Sequence, residues 1–287
     1  MGEAEVTYES FYGLKENPFG VTPDPRFFFS GKSHRDALAY LRYTLGEHKG
    51  FAVVTGEVGV GKTTVVKTFV QSLEHGVDTA VVLNPRLSFK QLLSTVVSEF
   101  GLSVKGKSKA ELLIDLRRFL LDSRRRDRNV ILILDEAQNL PAASLEEIRM
   151  LSNLESDDRK LLQIAFVGQP ELSELLALRE LRQLRQRIPG ICTIAPLSRP
   201  EVDDYVRTRL EKAGGDGSPR FADEAFAEVF KHSDGIPRLV NFICDRTLLL
   251  GFVEEKKQVD AGLVIAAARD LEVGQSEEEE SLGKAAM

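Results

Sequence analysis

The sequence feature that most constrains the fold is a glycine-rich segment at residues 56–63. An apolar run at 51–55 precedes it, and a helical pattern at 63–73 follows it. Together with the next residue, the segment is Gly56-Glu57-Val58-Gly59-Val60-Gly61-Lys62-Thr63-Thr64, which fits the pattern G-x-x-x-x-G-K-[ST]. A loop of this kind binds phosphate when it joins a strand to a helix, because its backbone N–H groups and the helix N-terminus then face one anion. The segment therefore predicts a phosphate site at the end of a strand.

Short apolar runs alternate with amphipathic helical patterns through the first two thirds of the chain. The predicted strands lie at residues 51–55, 79–83, 130–134, 161–167 and 190–194, and the helical patterns between them include 63–73, 89–100 and 110–123. Strands that are apolar on both faces are typical of a parallel sheet covered by crossover helices. The predicted fold class is α/β, with a parallel sheet in αβα layers.

A pair of carboxylates, Asp135 and Glu136, comes directly after the apolar run 130–134. Ligands of open α/β sheets bind at the carboxyl ends of the strands, where the glycine-rich loop also lies. We expect the Thr63 hydroxyl and Asp135 to hold Mg²⁺, Lys62 to bridge the β- and γ-phosphates of ATP, and Glu136 to align and deprotonate the attacking water. ATP and Mg²⁺ are thus the predicted substrate and cofactor, and ATP hydrolysis is the predicted reaction.

The chain after Pro196 has helical periodicity and no further predicted strand. Its helical patterns lie at residues 201–213, 223–231, 238–252 and 261–271. We therefore predict an αβα nucleotide-binding domain over 31–197 and a small all-helical lid domain over 198–271.

The two ends of the chain have compositions of their own. Residues 1–30 hold Pro18, Pro23 and Pro25 among several phenylalanines, which is typical of an extended strap. We expect this strap to pack on the nucleotide-binding domain, with contact to a nucleotide base as the open alternative. Residues 272–287 include four consecutive glutamates and are predicted to form a disordered acidic tail.

Composition excludes several classes of protein. A net charge of -6 argues against a surface that binds nucleic acid throughout. Cys192 and Cys244 have no partner at metal-ligand spacing, so a disulfide framework or a zinc site is not expected. No apolar run is long enough for a transmembrane segment, and the first ten residues do not read as a signal peptide. We expect a cytoplasmic protein, with peripheral recruitment to the inner membrane by a partner left open.

These motifs together resemble those of the AAA+ ATPases, and within them the ExeA/GspA family of secretion-pathway ATPases. The strings that carry the closer resemblance are Phe11-Tyr12-Gly13-Leu14, Asn17-Pro18-Phe19, Thr22-Pro23-Asp24-Pro25-Arg26-Phe27, Gly56 to Thr64, Asp135-Glu136-Ala137-Gln138-Asn139-Leu140 and Gly168-Gln169-Pro170-Glu171-Leu172. Members of that family typically continue into a membrane-spanning helix and a peptidoglycan-binding region. This sequence is expected to lack both.

The resemblance implies roles for residues that spacing alone does not assign. Gln169 takes the sensor-1 position and Arg238 the sensor-2 position in the lid. An arginine finger is implied at Arg187 or Arg185, with Arg187 preferred and Arg182 a weaker alternative. The finger in turn implies a homo-oligomer, because such an arginine acts on the nucleotide of an adjacent subunit.

The resemblance implies ATP-driven conformational work on a protein partner, of the secretion or envelope-assembly type. The alternative is an ATP-gated, DNA-binding regulator of transposition similar to the TniB-like ATPases. DNA is a less favoured partner, because the basic residues of one region also fit a solvated helix face. Those residues are Arg117, Arg118, Arg124, Arg125, Arg126 and Arg128.

Overall fold

The computed structural model describes residues 7–73, 76–83, 85–154, 160–215 and 217–271. Two compact units divide the chain. The sheet unit consists of residues 32–58 and 62–195, and the helical unit consists of the N-terminal residues up to 31, residues 59–61 and the chain from 196 onward. The predicted acidic tail lies outside the described residues.

The sheet unit is built on five parallel strands in the order β2-β3-β4-β1-β5. The strands are β1 (Phe51–Gly56), β2 (Val77–Val82), β3 (Asn129–Leu134), β4 (Gln163–Gly168) and β5 (Ile191–Ile194). Every residue of β1 and of β4 is buried, as expected for central strands with helices on both faces. The predicted α/β fold with a parallel sheet is confirmed.

The order of the strands determines which loops lie next to one another. β4 lies between β3 and β1, and Leu134 of β3 is in register with Phe166 of β4. Thr55 of β1 is in register with Gly168 of β4. Because parallel strands end at one edge, the loops after β1, β3 and β4 emerge side by side.

Helices cover the sheet and begin at side-chain caps in two places. The helices of this unit are α2 (Lys32–Gly46), α3 (Lys62–Gln71), α4 (Phe89–Glu99), α5 (Lys109–Arg125), α6 (Ala142–Leu151), α7 (Glu171–Ala177) and α8 (Arg182–Arg185). Ser88 with Gln91 and Ser108 with Glu111 form capping boxes at the starts of α4 and α5. The core beneath them includes stacked rings of Phe51 and Phe166, whose centroids are 5.8 Å apart.

The helical unit is assembled from both ends of the chain. Its helices are α1 (Tyr8–Tyr12), a 3₁₀ turn (Pro25–Phe27), α9 (Arg199–Lys212), α10 (Asp223–Ser233), α11 (Pro237–Val253) and α12 (residues 261–271). A two-residue parallel ladder joins β6 (Arg220–Phe221) to β7 (Gln258–Val259). The prediction of an all-helical unit missed this ladder, because two residues are too few for a periodic signal.

The N-terminal strap differs from its expectation. We expected residues 1–30 to pack on the nucleotide-binding domain, whereas their described part belongs to the helical unit. The Tyr8 hydroxyl donates to Asp245 at 2.5 Å, and the Tyr12 hydroxyl donates to the Lys256 carbonyl at 2.9 Å. Phe19 and Phe27 enter the same apolar cluster as α9, α10 and α11. The aromatic residues of the strap predict that it is buried, but they do not predict which surface it packs against.

Two further features concern apolar helices and cysteines. In the described part of the chain, no helix is both long and apolar enough to cross a membrane. Cys192 is half-buried and Cys244 is buried, and both are free thiols.

Candidate functional site

The glycine-rich loop follows the last residue of β1 and leads into α3. Gly61 has a φ of +98°, a left-handed conformation that favours glycine. Lys62, the first residue of α3, is buried, and its ammonium donates to the carbonyls of Gly56 at 2.8 Å and Glu57 at 3.0 Å. Burial lowers the pKa of Lys62, while the negative charges of Glu136 and Asp135 act in the opposite direction.

A hydroxyl and a carboxylate meet beside the loop. The Thr63 hydroxyl donates to Asp135 Oδ2 at 2.7 Å, and Asp135 is only 2% exposed. Burial raises the pKa of Asp135, and the hydrogen bond from Thr63 opposes that rise. Adjacent hydroxyl and carboxylate oxygens are hard ligands of the kind that Mg²⁺ takes together with phosphate oxygens and water. These two side chains therefore fit a magnesium ion brought in with a nucleotide.

A dedicated metal cage is a different arrangement. Across the described residues, no three or more His, Cys, Asp or Glu side chains are grouped so that they could hold a metal ion by themselves. One carboxylate and one hydroxyl suit a metal that a phosphate substrate completes.

Glu136 follows Asp135 in an uncommon backbone conformation. Its φ of 56° and ψ of 39° are left-handed, which is rare for a residue other than glycine, and its N–H donates to Asp135 Oδ1 at 3.0 Å. Two side-chain amides then reach a single oxygen of its carboxylate. Gln138 Nε2 lies 2.6 Å from Glu136 Oε2, and Gln169 Nε2 lies 3.1 Å from the same atom.

Gln138 is itself held by the end of β4. Its Oε1 accepts the backbone N–H of Gln169 at 3.1 Å. A Cβ added to Gly168 would lie 2.6 Å from that Oε1, so a larger residue at this position would displace the Gln138 amide. Glu136, Gln138 and Gln169 thus form one hydrogen-bonded group at the carboxyl ends of β3 and β4.

The loop residue Gly59 and the start of α11 meet within the helical unit. The Arg238 backbone N–H donates to the Gly59 carbonyl at 3.2 Å, and a Cβ added to Gly59 would lie 2.8 Å from Arg238 Cβ. Gly59 also has a φ of +84°, so both space and backbone conformation call for glycine. The Arg238 guanidinium is exposed and lies 5.9 Å from the centre of the Phe242 ring.

The candidate finger arginines have different surroundings. Arg187 is half-buried, and its guanidinium donates to Ser152 Oγ at 2.9 Å and Asn153 Oδ1 at 2.6 Å, just beyond the end of α6. Arg185 and Arg182 are exposed on α8.

Gln138 and Gly168 were not predicted from the sequence as members of the site. Both residues lie in strings that carry the family resemblance, but no pattern in one sequence says that a side chain two residues beyond Glu136 turns back toward it. The bond between Gln138 and Gln169 depends on β3 and β4 being neighbours.

Comparisons with known proteins identify relatives of this chain. The model of the family described as "AAA domain" matches residues 44–176. The chain is 41% identical to general secretion pathway protein A of Aeromonas hydrophila over 265 residues, which cover 92% of this chain and 48% of that protein. The chain thus spans about half the length of this relative.

Two solved structures share the fold at low sequence identity. The ORC2 protein of Aeropyrum pernix in its ADP form aligns with a TM-score of 0.67 and 18% identity, covering 89% of this chain and 73% of that one. A Walker-type ATPase of Pyrococcus abyssi aligns with a TM-score of 0.62 and 16% identity, covering 91% and 80%.

The fold, the glycine-rich loop and the Thr63–Asp135 pair define a P-loop protein of the AAA+ class. Within that class, the chain belongs to the ExeA/GspA-like AAA+ ATPases, as the resemblance predicted.

Proposed function

We propose that this protein binds Mg-ATP and hydrolyses it to ADP and phosphate. The observation that carries the proposal is a continuous series of hydrogen bonds across three strand ends. Thr63 donates to Asp135, the Glu136 N–H donates to Asp135, and Gln169 donates to Glu136. This series joins the pair proposed to hold the metal to the proposed base, and it starts at the residue after Lys62, as phosphoryl transfer to water requires.

Each residue has a defined part in the proposed reaction. Lys62 exchanges its two carbonyl partners for β- and γ-phosphate oxygens, which are better acceptors because they are charged. Thr63 and Asp135 hold Mg²⁺, which neutralises phosphate charge. Glu136 accepts a proton from the attacking water, and Gln169 supplies an amide donor next to Glu136. Arg238 acts as the sensor arginine of the helical unit.

We further propose that the active form is a homo-oligomer with a finger arginine acting across the subunit interface. Arg187 is the preferred finger and Arg185 the alternative. For Arg187 to act on a neighbouring nucleotide, its guanidinium must leave Ser152 and Asn153. Arg185, already exposed, has no such requirement.

Mixing variants distinguishes the two arginines. Arg187→Ala should bind ATP and hydrolyse it slowly, and mixing it with Lys62→Ala subunits should restore part of the turnover. Arg185→Ala mixed in the same way is the matched control. Restoration with Arg185→Ala alone would move the finger to Arg185, and no restoration with either variant would exclude both arginines as the finger.

We propose that hydrolysis drives conformational work on a protein partner, in the cytoplasm or at the inner face of a membrane where that partner resides. The support is the relative named general secretion pathway protein A, which this chain matches along 92% of its own length.

The DNA-binding alternative has weak local support. Four of the arginines that could contact phosphates pair with neighbouring aspartates: Arg118 with Asp115, Arg124 with Asp127, Arg125 with Asp122 and Arg128 with Asp78. Such pairing lowers the positive charge that a DNA backbone would meet.

One experiment tests both functions. ATP turnover is measured against protein concentration, with and without duplex DNA, at low and moderate salt. A specific rate that rises with concentration and ignores DNA supports a self-assembling ATPase that works on protein. A rate that depends strongly on DNA and falls with salt supports the transposition-type function, and no turnover under any of these conditions contradicts the ATPase proposal.

A further inference from the structure

We propose that Gln138 is a positioning residue that fixes the catalytic carboxylate of Glu136, so that one oxygen is reserved for the attacking water. This inference rests on the proposed ATP hydrolysis and adds a residue that the family roles above leave without a task. Gln138 contacts Glu136 and the end of β4, and it acts through Glu136 rather than on the substrate.

The side-chain amides of Gln138 and Gln169 both donate to the same oxygen of Glu136. Gln138 Nε2 and Gln169 Nε2 donate to Glu136 Oε2 at 2.6 and 3.1 Å. A carboxylate has two oxygens, and two donors on Oε2 fix the rotation of the whole group about its last single bond. Oε1 is then the oxygen that remains to accept a proton from water.

Gln138 is not free to rotate away. Its amide is bidentate, because Nε2 donates to Glu136 while Oε1 accepts the Gln169 N–H at 3.1 Å. The absence of a side chain at Gly168 provides the space for that amide, since a Cβ there would lie 2.6 Å from Oε1. The orientation of the amide is thus set by the backbone of β4.

The backbone conformation of Glu136 also needs support from its surroundings. Its left-handed backbone ends the extended conformation of β3 directly after the buried Asp135. A residue in this conformation persists when surrounding contacts determine it, and such residues concentrate at functional sites. The Gln138 and Gln169 amides supply those contacts at the far end of the side chain.

Because Gln138 joins Glu136 to Gln169, it ties the base just after β3 to the sensor position just after β4. Gln169 touches this group twice, through its side chain to Glu136 and through its backbone to Gln138. Removing Gln138 leaves Glu136 with one donor and releases the Gln169 N–H. The expected consequence is a base that samples several rotations, with ATP binding unaffected.

Two variants separate the two bonds that Gln138 makes. Gln138→Met keeps the length and unbranched shape of the side chain and loses both bonds. Gln138→Glu keeps an acceptor for the Gln169 N–H, but while its carboxylate is ionised it cannot donate to Glu136 and adds a second negative charge beside the Glu136 carboxylate. The exposed Gln71 at the end of α3 provides the matched control, Gln71→Met.

The experiment measures kcat, KM, the Kd for ATP and the melting temperature for the wild type and these variants. Gln138→Met should lower kcat about tenfold, the effect of losing one hydrogen bond to a charged group, while KM and Kd change less than about twofold. Gln138→Glu should lower kcat at least as much, and Gln71→Met should match the wild type in every quantity.

The outcomes separate the inference from the function on which it rests. If the wild type hydrolyses ATP and Gln138→Met has the same kcat as the wild type, the positioning role is overturned and the proposed ATPase function is unaffected. Full activity in Gln138→Glu with a loss in Gln138→Met assigns Gln138 to supporting the Gln169 backbone, which also overturns it. A wild type without turnover overturns the proposed function and this inference together.

Discussion

The phosphate loop and the N-terminal strap each surround a buried cation with backbone carbonyls. Lys62 is 5% exposed and donates to Gly56 and Glu57, six and five residues away in the chain. Arg209 on α9 is 8% exposed and donates to the carbonyls of Pro18 and Gly20, 191 and 189 residues away.

The chemistry around the two cations differs in one further respect. The Arg209 guanidinium also donates to the Tyr205 hydroxyl at 3.0 Å and lies 4.8 Å from the centre of the Phe27 ring. A planar guanidinium can use several donors and its flat face together, which an ammonium cannot. Lys62 has neutral carbonyl partners that a charged phosphate would displace, as the proposed function requires.

Burial of a charged side chain therefore does not by itself show whether the side chain binds a ligand or stabilises the fold. Partners that are close in sequence and easily replaced suit a cation that serves a ligand. Partners that come from the opposite end of the chain suit a cation that holds the fold together. The two sites therefore differ in which measurement their loss should change.

The largest expected effect is on kcat, from substitution of the proposed base Glu136 near Lys62. Glu136→Gln removes the proton acceptor and keeps the shape of the side chain, so kcat should fall by roughly 10²- to 10⁴-fold. ATP affinity and melting temperature should stay near those of the wild type. Normal turnover in this variant would contradict the assignment of Glu136 as the base.

Lys62→Ala tests whether Lys62 contributes to ATP binding more than to stability. Loss of charge-assisted hydrogen bonds to phosphate should weaken ATP binding by roughly 10- to 100-fold. The free energy of unfolding should change much less than for Arg209, because the lysine partners lie within its own loop. Titration of a fluorescent ATP analogue and chemical denaturation measure the two quantities. A large loss of stability with unchanged affinity would break the comparison.

Arg209→Ala should give the opposite result. Removing the guanidinium leaves the Pro18 and Gly20 carbonyls without their donor and Phe27 without its cation, so the helical unit should lose about 2–4 kcal/mol of stability. Arg209→Lys should recover little of this, since an ammonium cannot reproduce the fork. Denaturation monitored by tyrosine fluorescence provides the readout. Wild-type stability in both variants would show that the strap is held by its apolar contacts alone.

The smallest effect should come from Asp135→Asn in the absence of nucleotide. Burying an ionised carboxylate costs free energy, and that cost is visible as the raised pKa of Asp135. The neutral amide should therefore leave the melting temperature unchanged or raise it by about 2–4 °C. Stabilisation by Mg-ATP, present in the wild type, should be lost. A variant that melts lower and still responds to Mg-ATP would contradict the metal-holding role.

Local patterns predicted much of the sheet unit and part of the site. The apolar runs identified its five strands, because strands buried on both faces leave a continuous apolar signal in the sequence. The glycine-rich loop and the Asp135–Glu136 pair were readable for the same reason.

Other features could not be read from neighbouring residues. Nothing in residues 1–30 specified that Pro18 and Gly20 would meet Arg209, because that contact joins segments about 190 residues apart. The ladder between β6 and β7 escaped notice because each of its strands contributes only two residues.

The sequence by itself determined the class of fold, the phosphate loop and the residues that follow strand ends, because each depends on backbone and side-chain preferences within a few positions. Only the tertiary structure decided that β4 lies between β3 and β1, which brings Gln138, Gln169 and Glu136 into one hydrogen-bonded group. The same holds for the strap and its place on the helical unit. These features depend on which distant segments pack together, and packing is selected by the fit of whole surfaces rather than by any local pattern.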